Sequence, residues 1–152
     1  MKLLKKTAFC LLLIIGSNLS TFGQSTAQSL IEKFFNDYEN KGAKLAVEEL
    51  YKTNVWTSRI QDQVDDIKNK LSNFNEDLVG KYHGHVFLDK IEAADCFTIQ
   101  TYLLKFDRQP LRLTFKLYKP NDKWILYSFS FDDSIDEDLE KALNLKYSMK
   151  EK

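Results

Sequence analysis

Residues 111–131, which read LRLTFKLYKPNDKWILYSFSF, decide the fold. From Leu111 to Tyr118 every second residue is leucine or phenylalanine, which is the period of a strand with one buried face. The segment Pro120-Asn121-Asp122-Lys123 predicts a turn, because proline fixes φ and asparagine and aspartate tolerate turn geometry. A second strand, residues 124–131, follows and is predicted to place on one face Ile125, Tyr127, Phe129 and Phe131. The stretch is therefore predicted to form a β-hairpin.

Two further strands are predicted before this hairpin. Residues 96–106 alternate in the same way and end at the turn Asp107-Arg108-Gln109-Pro110. An earlier strand contains Val86, Leu88 and Ile91, and its alternation slips near Lys90, which indicates a bulge. Four successive strands with short connections predict an antiparallel meander.

The chain before Gly80 has helical periodicity instead. We predict one helix over residues 26–40, a second over 43–53, and a third from Ser58 or Arg59 to Phe74. The third has the clearest apolar stripe, formed by Ile60, Val64, Ile67, Leu71 and Phe74. After the strands, the acidic run 132–138 is predicted to begin a short C-terminal helix, because carboxylates favour a helix N-terminus.

Together these elements predict an α+β fold. The N-terminal helices would pack on a curved four-stranded antiparallel sheet, and a short C-terminal helix would complete the chain. Residues 24–152 have the usual length of a single domain.

Residues 1–23 are predicted to be a secretory signal peptide that is cleaved. Three lysines precede the apolar run Ala8–Ile15, and Thr21 and Gly23 put small residues at positions −3 and −1 of the cleavage site. The run is far shorter than the ~20 residues of a membrane-spanning helix. We therefore expect an exported protein, periplasmic or secreted, without a membrane anchor after cleavage.

Removal of the leader changes both the charge and the cysteine count. The whole chain has 22 basic and 22 acidic residues, and loss of three lysines leaves a net charge of −3. A mildly acidic chain without a basic stripe is not expected to bind nucleic acid, since binding to phosphates dominates such affinity. Cys10 is lost with the leader, so Cys96 cannot form an internal disulfide and is expected to be inert and partly buried.

Helices followed by long, aromatic-rich strands resemble the NTF2-like superfamily, which has a cystatin-like α+β fold. The resemblance is carried by the amphipathic start Leu30–Tyr38, the helix Gly42–Tyr51, and the strand pair 111–118 and 124–131. The turn Leu117-Tyr118-Lys119-Pro120 before Trp124 is similar to the late hairpin of small exported proteins of this type. The resemblance implies an open mouth between sheet and helices, where a pocket can form. Because the superfamily mixes enzymes with non-catalytic modules, the fold leaves the function open.

Both histidines of the chain lie in Tyr82-His83-Gly84-His85. Residues two apart on a strand share a face, so the two imidazoles could converge on a ligand or metal. Alternatively, Gly84 marks a bulge at a partly exposed strand start. Zinc requires three or four ligands, and the spacing identifies no third. The acidic runs 62–66 and 132–138 also lack the spacing of a calcium loop, so we predict no metal and no cofactor.

Candidate ligand-binding residues are the aromatic, histidine and charged side chains placed near the implied mouth: Trp56, Tyr82, His83, His85, Tyr102, Arg112 and Trp124. Tyr127 is a further aromatic candidate, and Asp95 is an alternative charged partner. Asp95 with Tyr102 would imitate the acid–tyrosine pair of enzymes with this architecture, although Ala93-Ala94-Asp95 also fits an ordinary turn.

No Ser/His/Asp order, glycine-rich phosphate loop or Cys–His pair is recognisable in the chain. We therefore expect an exported, non-catalytic module that binds a small apolar ligand or a protein partner, with a homodimer formed through the sheet as one form of partner. The alternative is a small NTF2-like isomerase, lyase or hydrolase that uses an acid–tyrosine pair or the histidine pair. A third hypothesis is a metal-binding protein built on those histidines.

Overall fold

The computed structural model describes residues 26–150 and confirms the predicted α+β fold. The α-helices are α1 (Ala27–Lys41), α2 (Ala43–Tyr51), α3 (Gln61–Ser72), α4 (Glu76–Val79) and α5 (Ile135–Lys150), with a 3-10 helix at Val55–Ile60. The strands are β1 (Tyr82–Ala93), β2 (Phe97–Phe106), β3 (Pro110–Tyr118) and β4 (Ile125–Asp132). They form one antiparallel sheet in the order β1-β2-β3-β4.

The predicted leader, residues 1–23, lies outside the described residues. Within residues 26–150, no helix combines the length and the apolar character needed to cross a membrane.

Helices α1 and α2 begin and end close to the predicted positions. The side chain of Thr26 accepts a hydrogen bond from the backbone N–H of Ser29 at 3.0 Å, which caps the start of α1. At the other end, the N–H of Gly42 donates to the carbonyl of Tyr38 at 3.2 Å. Gly42 thus ends α1 and precedes α2, between the two predicted helices.

Helix α1 also carries a buried acid. The Asp37 carboxylate accepts hydrogen bonds from Lys33 at 2.6 Å and from Lys41 at 2.8 Å. These two ammonium groups hold the pKa of Asp37 below its usual value. The buried charge is therefore paired on both oxygens, as burial of an ion requires.

The third predicted helix starts later than expected. Residues 55–60 form the 3-10 helix, which begins where Asn54 accepts a hydrogen bond from the N–H of Trp56 at 3.0 Å. Helix α3 ends at Ser72, and Asn75 caps a separate short helix, α4, that the sequence analysis did not predict. The predicted third helix therefore corresponds to the end of the 3-10 helix and to α3, and α4 follows beyond its predicted end. Gly80 ends the helical half, as predicted.

The core lies between the helices and one face of the sheet, called here the inner face. β2 and β3 each bury every second side chain on it, namely Thr98, Gln100, Tyr102, Leu104, Leu111, Leu113, Phe115 and Leu117. Phe115 is at the centre, with its ring centroid 5.1 Å from that of Phe34 and 5.8 Å from that of Phe35. Full burial of such a side chain contributes about 1.5–3 kcal/mol, so the alternation in β3 directly determines which face packs on the helices.

The predicted single face of β4 is wrong at Ile125 and Tyr127, neither of which lies on the inner face. The register shifts so that Lys116 pairs with Ser128 whereas Leu117 pairs with Leu126. The extra residue, Tyr127, is 65% exposed, and Leu126 takes the buried position. A β-bulge has this effect because two residues of one strand oppose a single position of its partner.

The two edges of the sheet have different surroundings. On β4, the backbone N–H of Leu126 donates to Thr53 Oγ1 at 2.9 Å, and its carbonyl accepts from Asn54 Nδ2 at 2.8 Å. On β1, residues 86–93 are all exposed, although the strand is paired with β2 along its length. β1 also has two register shifts, one before His85 and one after Phe87. The second lies close to Lys90, where the slip in alternation predicted a bulge.

Helix α5 is longer than the short helix predicted and lies against the outer face of the sheet at its first turn. Arg112 on β3 donates to Asp132 at 2.9 and 3.1 Å and to Asp138 of α5 at 2.8 Å. The side chains of residues 137–150 are exposed. The ion pairs therefore attach the helix at its acidic start.

Candidate ligand cleft

An open cleft of about 290 Å³ lies where α1, the α3–α4 connection and the start of β1 meet. Four aromatic side chains line it: Tyr38 of α1, Tyr82 of β1, Phe106 of β2, and Phe74 of the connection between α3 and α4. Its remaining wall comes from Gly42, Ala43, Ser72, Asn75, Glu76, Gly80 and Lys81. Aromatic walls with a few polar groups are the usual composition of a small-molecule site, and this volume is at the small end of the range.

Gly80 allows the close approach that shapes the rear of the cleft. Its φ is 79°, and a Cβ built at this position would lie 2.6 Å from Cβ of Asp107. Asp107 in turn accepts a hydrogen bond from the N–H of Lys81 at 2.7 Å. A side chain at position 80 would therefore force apart the start of β1 and the β2–β3 turn.

Tyr82 connects the cleft to α1 through its hydroxyl. That hydroxyl donates to Glu39 Oε1 at 3.0 Å and lies 3.2 Å from His85 Nδ1. His85 Nδ1 is itself 3.4 Å from the same Glu39 oxygen. Burial, and then the hydrogen bond to Glu39, raise the pKa of Tyr82. The phenol therefore stays protonated at neutral pH and is a hydrogen-bond donor rather than a base.

The neighbouring Tyr38 is similarly protonated. Burial raises the pKa of Tyr38 to about 12. Its ring centroid lies 5.5 Å from that of Tyr82 in an edge-on arrangement. The two tyrosines thus provide a neutral aromatic wall on the α1 side of the cleft.

His85 stacks on a phenylalanine of α1, Phe35. Its ring lies parallel to that of Phe35, with centroids 3.6 Å apart and an interplanar angle of 6°. The ring of Tyr102 is 6.1 Å away. Stacking and the contacts with Tyr82 and Glu39 leave His85 a fixed orientation.

His83 has a separate partner. Its Nε2 lies 2.6 Å from Oδ1 of Asp107, and this contact, with the Lys81 N–H, lowers the pKa of Asp107. Gly84 has a φ of 88° at the register shift between Tyr82 and His85, so the predicted bulge is confirmed. The bulge places Tyr82 and His85 on one side and directs His83 to the β2–β3 turn, so the two imidazoles do not share a ligand.

The described residues 26–150 contain no cluster of three or more histidine, cysteine, aspartate or glutamate side chains suited to a metal ion. The histidine pair therefore has no third metal ligand within that part of the chain.

Of the seven predicted ligand-binding residues, three come together around α1: Tyr82, His85 and Tyr102. Tyr102 is a core residue, because it is buried and its hydroxyl donates to Gln100 at 3.1 Å. The predicted partnership of Tyr102 with Asp95 is not formed. Asp95 is exposed in the β1–β2 turn with a φ of 51°, which favours the turn interpretation.

Of the seven candidates, Tyr82 alone lines the cleft, and Trp56, Trp124 and Arg112 lie away from α1. Trp56 is 63% exposed, and the Arg59 guanidinium carbon lies 4.7 Å from its ring centroid. Trp124 is half-buried beside Lys119, whose Nζ is 5.4 Å from the ring centroid. Arg112 is on the outer face of the sheet, where its guanidinium is paired with the two aspartates described above.

Sequence reasoning missed Tyr38, Glu39, Phe74 and Phe106 as members of the site. Tyr38 and Phe74 end the apolar stripes of their helices, and a glycine follows each within six residues. An aromatic residue at a helix end before a glycine is thus the available signal, although it also describes an ordinary core residue. Glu39 has no comparable signal.

Comparison with models of protein families, with curated proteins and with solved structures finds no match to this chain. The resemblance to the NTF2-like superfamily therefore stays a prediction from the order and pattern of the elements. What the chain can bind has to be inferred from the geometry of the cleft itself.

Proposed function

We propose that this protein is an exported, non-catalytic module of the NTF2-like type that binds a small, planar, apolar ligand in the aromatic cleft. The observation that carries the proposal is the convergence on one open cleft of four aromatic rings, three from α1, β1 and β2 and one from the α3–α4 connection. Rings from separate elements provide a rigid apolar surface without the entropy cost of ordering long flexible side chains. Export is inferred from residues 1–23 alone.

The polar groups of the cleft support binding rather than chemistry. The Tyr82 hydroxyl is raised in pKa and already donates to Glu39, so it is a neutral group with a fixed direction. Glu39 and His85 contact this hydroxyl and orient it. A ligand with one hydrogen-bonding group and a two-ring body fits such a surface.

The test uses 1-naphthol as the probe, titrated into the purified protein and followed by amide NMR. We expect shifts at Gly42, Gly80 and Lys81, and at least about a tenfold loss of affinity in Phe74→Ala, which removes one aromatic wall. The matched control is Tyr127→Ala, because Tyr127 is an exposed aromatic residue on the bulge of β4. Equal affinity in the two variants, or shifts elsewhere, would contradict the proposal.

The second candidate is a small NTF2-like isomerase, lyase or hydrolase. It is favoured by the contact of a carboxylate, a phenol and an imidazole at Glu39, Tyr82 and His85, all within 3.4 Å. The test is proton exchange in deuterated water with enolisable ketones, together with hydrolysis of simple aryl esters. Turnover that Glu39→Gln abolishes and Glu49→Gln retains would establish this alternative and displace the non-catalytic proposal.

A further inference from the structure

The outer part of β1, residues 86–93, is an open sheet edge with exposed apolar side chains. Ile91 is 66% exposed and Phe87 is 53% exposed. Within residues 26–150, no strand pairs with this edge, since β1 is the first strand of the sheet. Exposed edges of this kind pair readily with another strand, and proteins normally cover or blunt them.

The opposite edge is blunted. Thr53 and Asn54 occupy the outward backbone groups of Leu126 in β4 with their side chains. Side chains of the helical half therefore cover the β4 edge at Leu126, whereas on β1 the Lys90 N–H donates to Asp89 Oδ1 of its own strand at 2.7 Å, a contact that pairing with another strand would replace.

We propose that β1 pairs antiparallel with β1 of a second copy of this chain, across a two-fold axis that passes through Ile91. Such a pair is isologous, so each contact occurs twice. It would join the two four-stranded sheets into one continuous sheet through backbone hydrogen bonds.

The register follows from the charges on the strand. The segment Asp89–Ala93 pairs regularly with β2, so opposite residues in a symmetric antiparallel pair must share a face. An axis through Asp89, Lys90 or Glu92 would place that charge directly opposite its own copy. An axis through Ala93 would give neither Lys90 nor Glu92 a charged partner. An axis through Ile91 places isoleucine against isoleucine and each Lys90 against the other chain's Glu92. Like charges directly opposite are destabilising and opposite charges stabilise, which selects the Ile91 register.

Lys90 and Glu92 already form an ion pair within one chain, which pairing would replace with ion pairs between chains. Lys90 Nζ lies 3.0 Å from Glu92 Oε1 within the chain, and both side chains are about half exposed. They point to the same face of β1, because they are two residues apart in a regular strand. Pairing would turn this contact within a chain into two contacts between chains.

The pairing is expected to be reversible and dependent on concentration. The regular segment on this side of the second β1 bulge is Asp89–Ala93, which supplies few backbone hydrogen bonds. Interfaces of this size fall among the small, transient ones.

The experiment is sedimentation of the purified protein over a concentration series, in a reducing buffer so that Cys96 cannot cross-link the chains. Wild type should show a monomer–dimer equilibrium. Lys90→Glu alone and Glu92→Lys alone each create two like-charge pairs, and each should weaken dimerisation at least about tenfold. The double variant should restore it. Lys123→Glu is the control for Lys90→Glu, because it makes the same change in net charge on an exposed turn.

The decisive sample is an equimolar mixture of the two single variants. One chain then carries glutamate at both positions and the other carries lysine at both, so a mixed dimer has two opposite-charge pairs. Sedimentation of the mixture as a dimer supports the Ile91 register and cannot result from a pair within one chain. A monomeric wild type, a dimer unaffected by either single variant, or a mixture that stays monomeric would each overturn the proposal.

Discussion

The two edges of the sheet show how the helical half controls what the strands can do. At β4, side chains from the segment after α2 bond to the backbone of Leu126 and occupy its outward groups. At β1, α1 covers the start of the strand through Phe35 and leaves residues 86–93 exposed. An edge of this sheet is therefore covered only where side chains of the helical half bond to its backbone.

β1 itself changes character along its length. Tyr82 lines the cleft, and His85 packs against Phe35 of α1. Beyond them the strand extends away from the helices with both of its faces exposed. One strand therefore contributes to a ligand site at one end and to a free edge at the other.

The largest effect is expected from a matched pair of phenylalanine substitutions. Phe35 and Phe87 both contact the ring of Tyr102, at centroid distances of 5.1 and 5.4 Å. Phe35 is buried, so Phe35→Ala should lower the free energy of unfolding by about 3–5 kcal/mol. Phe87→Ala should lower it by less than about 1 kcal/mol, because the ring is half exposed. Urea denaturation measures both, and similar losses would show that residues 86–93 are not free.

A smaller effect is expected at the protected edge. Thr53→Ala should cost about 1 kcal/mol of unfolding free energy, because it removes a hydrogen bond to the backbone of Leu126. Asn54→Ala should cost about 1–2 kcal/mol, because it removes a bond to Leu126 and also the cap of the 3-10 helix. Ser130→Ala, on an exposed position of β4, is the control and should cost less than about 0.5 kcal/mol. If the three variants are equally stable, the side chains do not protect this edge.

The smallest effect is expected at the His83–Asp107 contact, where both side chains are about half exposed. The folded-state pKa of Asp107 lies below its unfolded value of about 3.9, so the contact contributes stability above that pH. This stability is lost as the pH falls through the folded pKa. In carbon NMR titrations, His83→Ala should raise the pKa of Asp107 toward its usual value, whereas His85→Ala should leave it unchanged. An unchanged pKa in His83→Ala would contradict this assignment.

The fold could be predicted where one period dominates the sequence. The alternation from Leu111 to Tyr118 gives the buried face of β3 without further information, because each apolar side chain gains free energy on the same face. The face of β4 could not be predicted in this way. Its bulge at Tyr127 depends on the register with β3, and Thr53 and Asn54 bond to the neighbouring Leu126 from a segment over 70 residues away.

The candidate site could also be predicted only in part, because some of its contacts join residues far apart in the sequence. Tyr82 and His85 belong to a short, unusual motif, so they were identified from the sequence. Glu39, which orients both, is separated from Tyr82 by 43 positions, and the contact exists only because α1 packs on β1. The bulge at Gly84 could be predicted as an alternative, but its effect on the direction of His83 required the structure.

The most direct test of the contrast between the edges is amide hydrogen exchange measured in dilute and in concentrated protein. We predict that the outward amides of Asp89–Ala93 exchange rapidly in dilute solution and slow as the concentration rises, because a second copy pairs with them. The amide of Leu126, bonded to Thr53, should exchange at the same rate throughout. Exchange at Asp89–Ala93 that is independent of concentration, or as slow in dilute solution as at Leu126, would contradict an open edge that pairs with its copy.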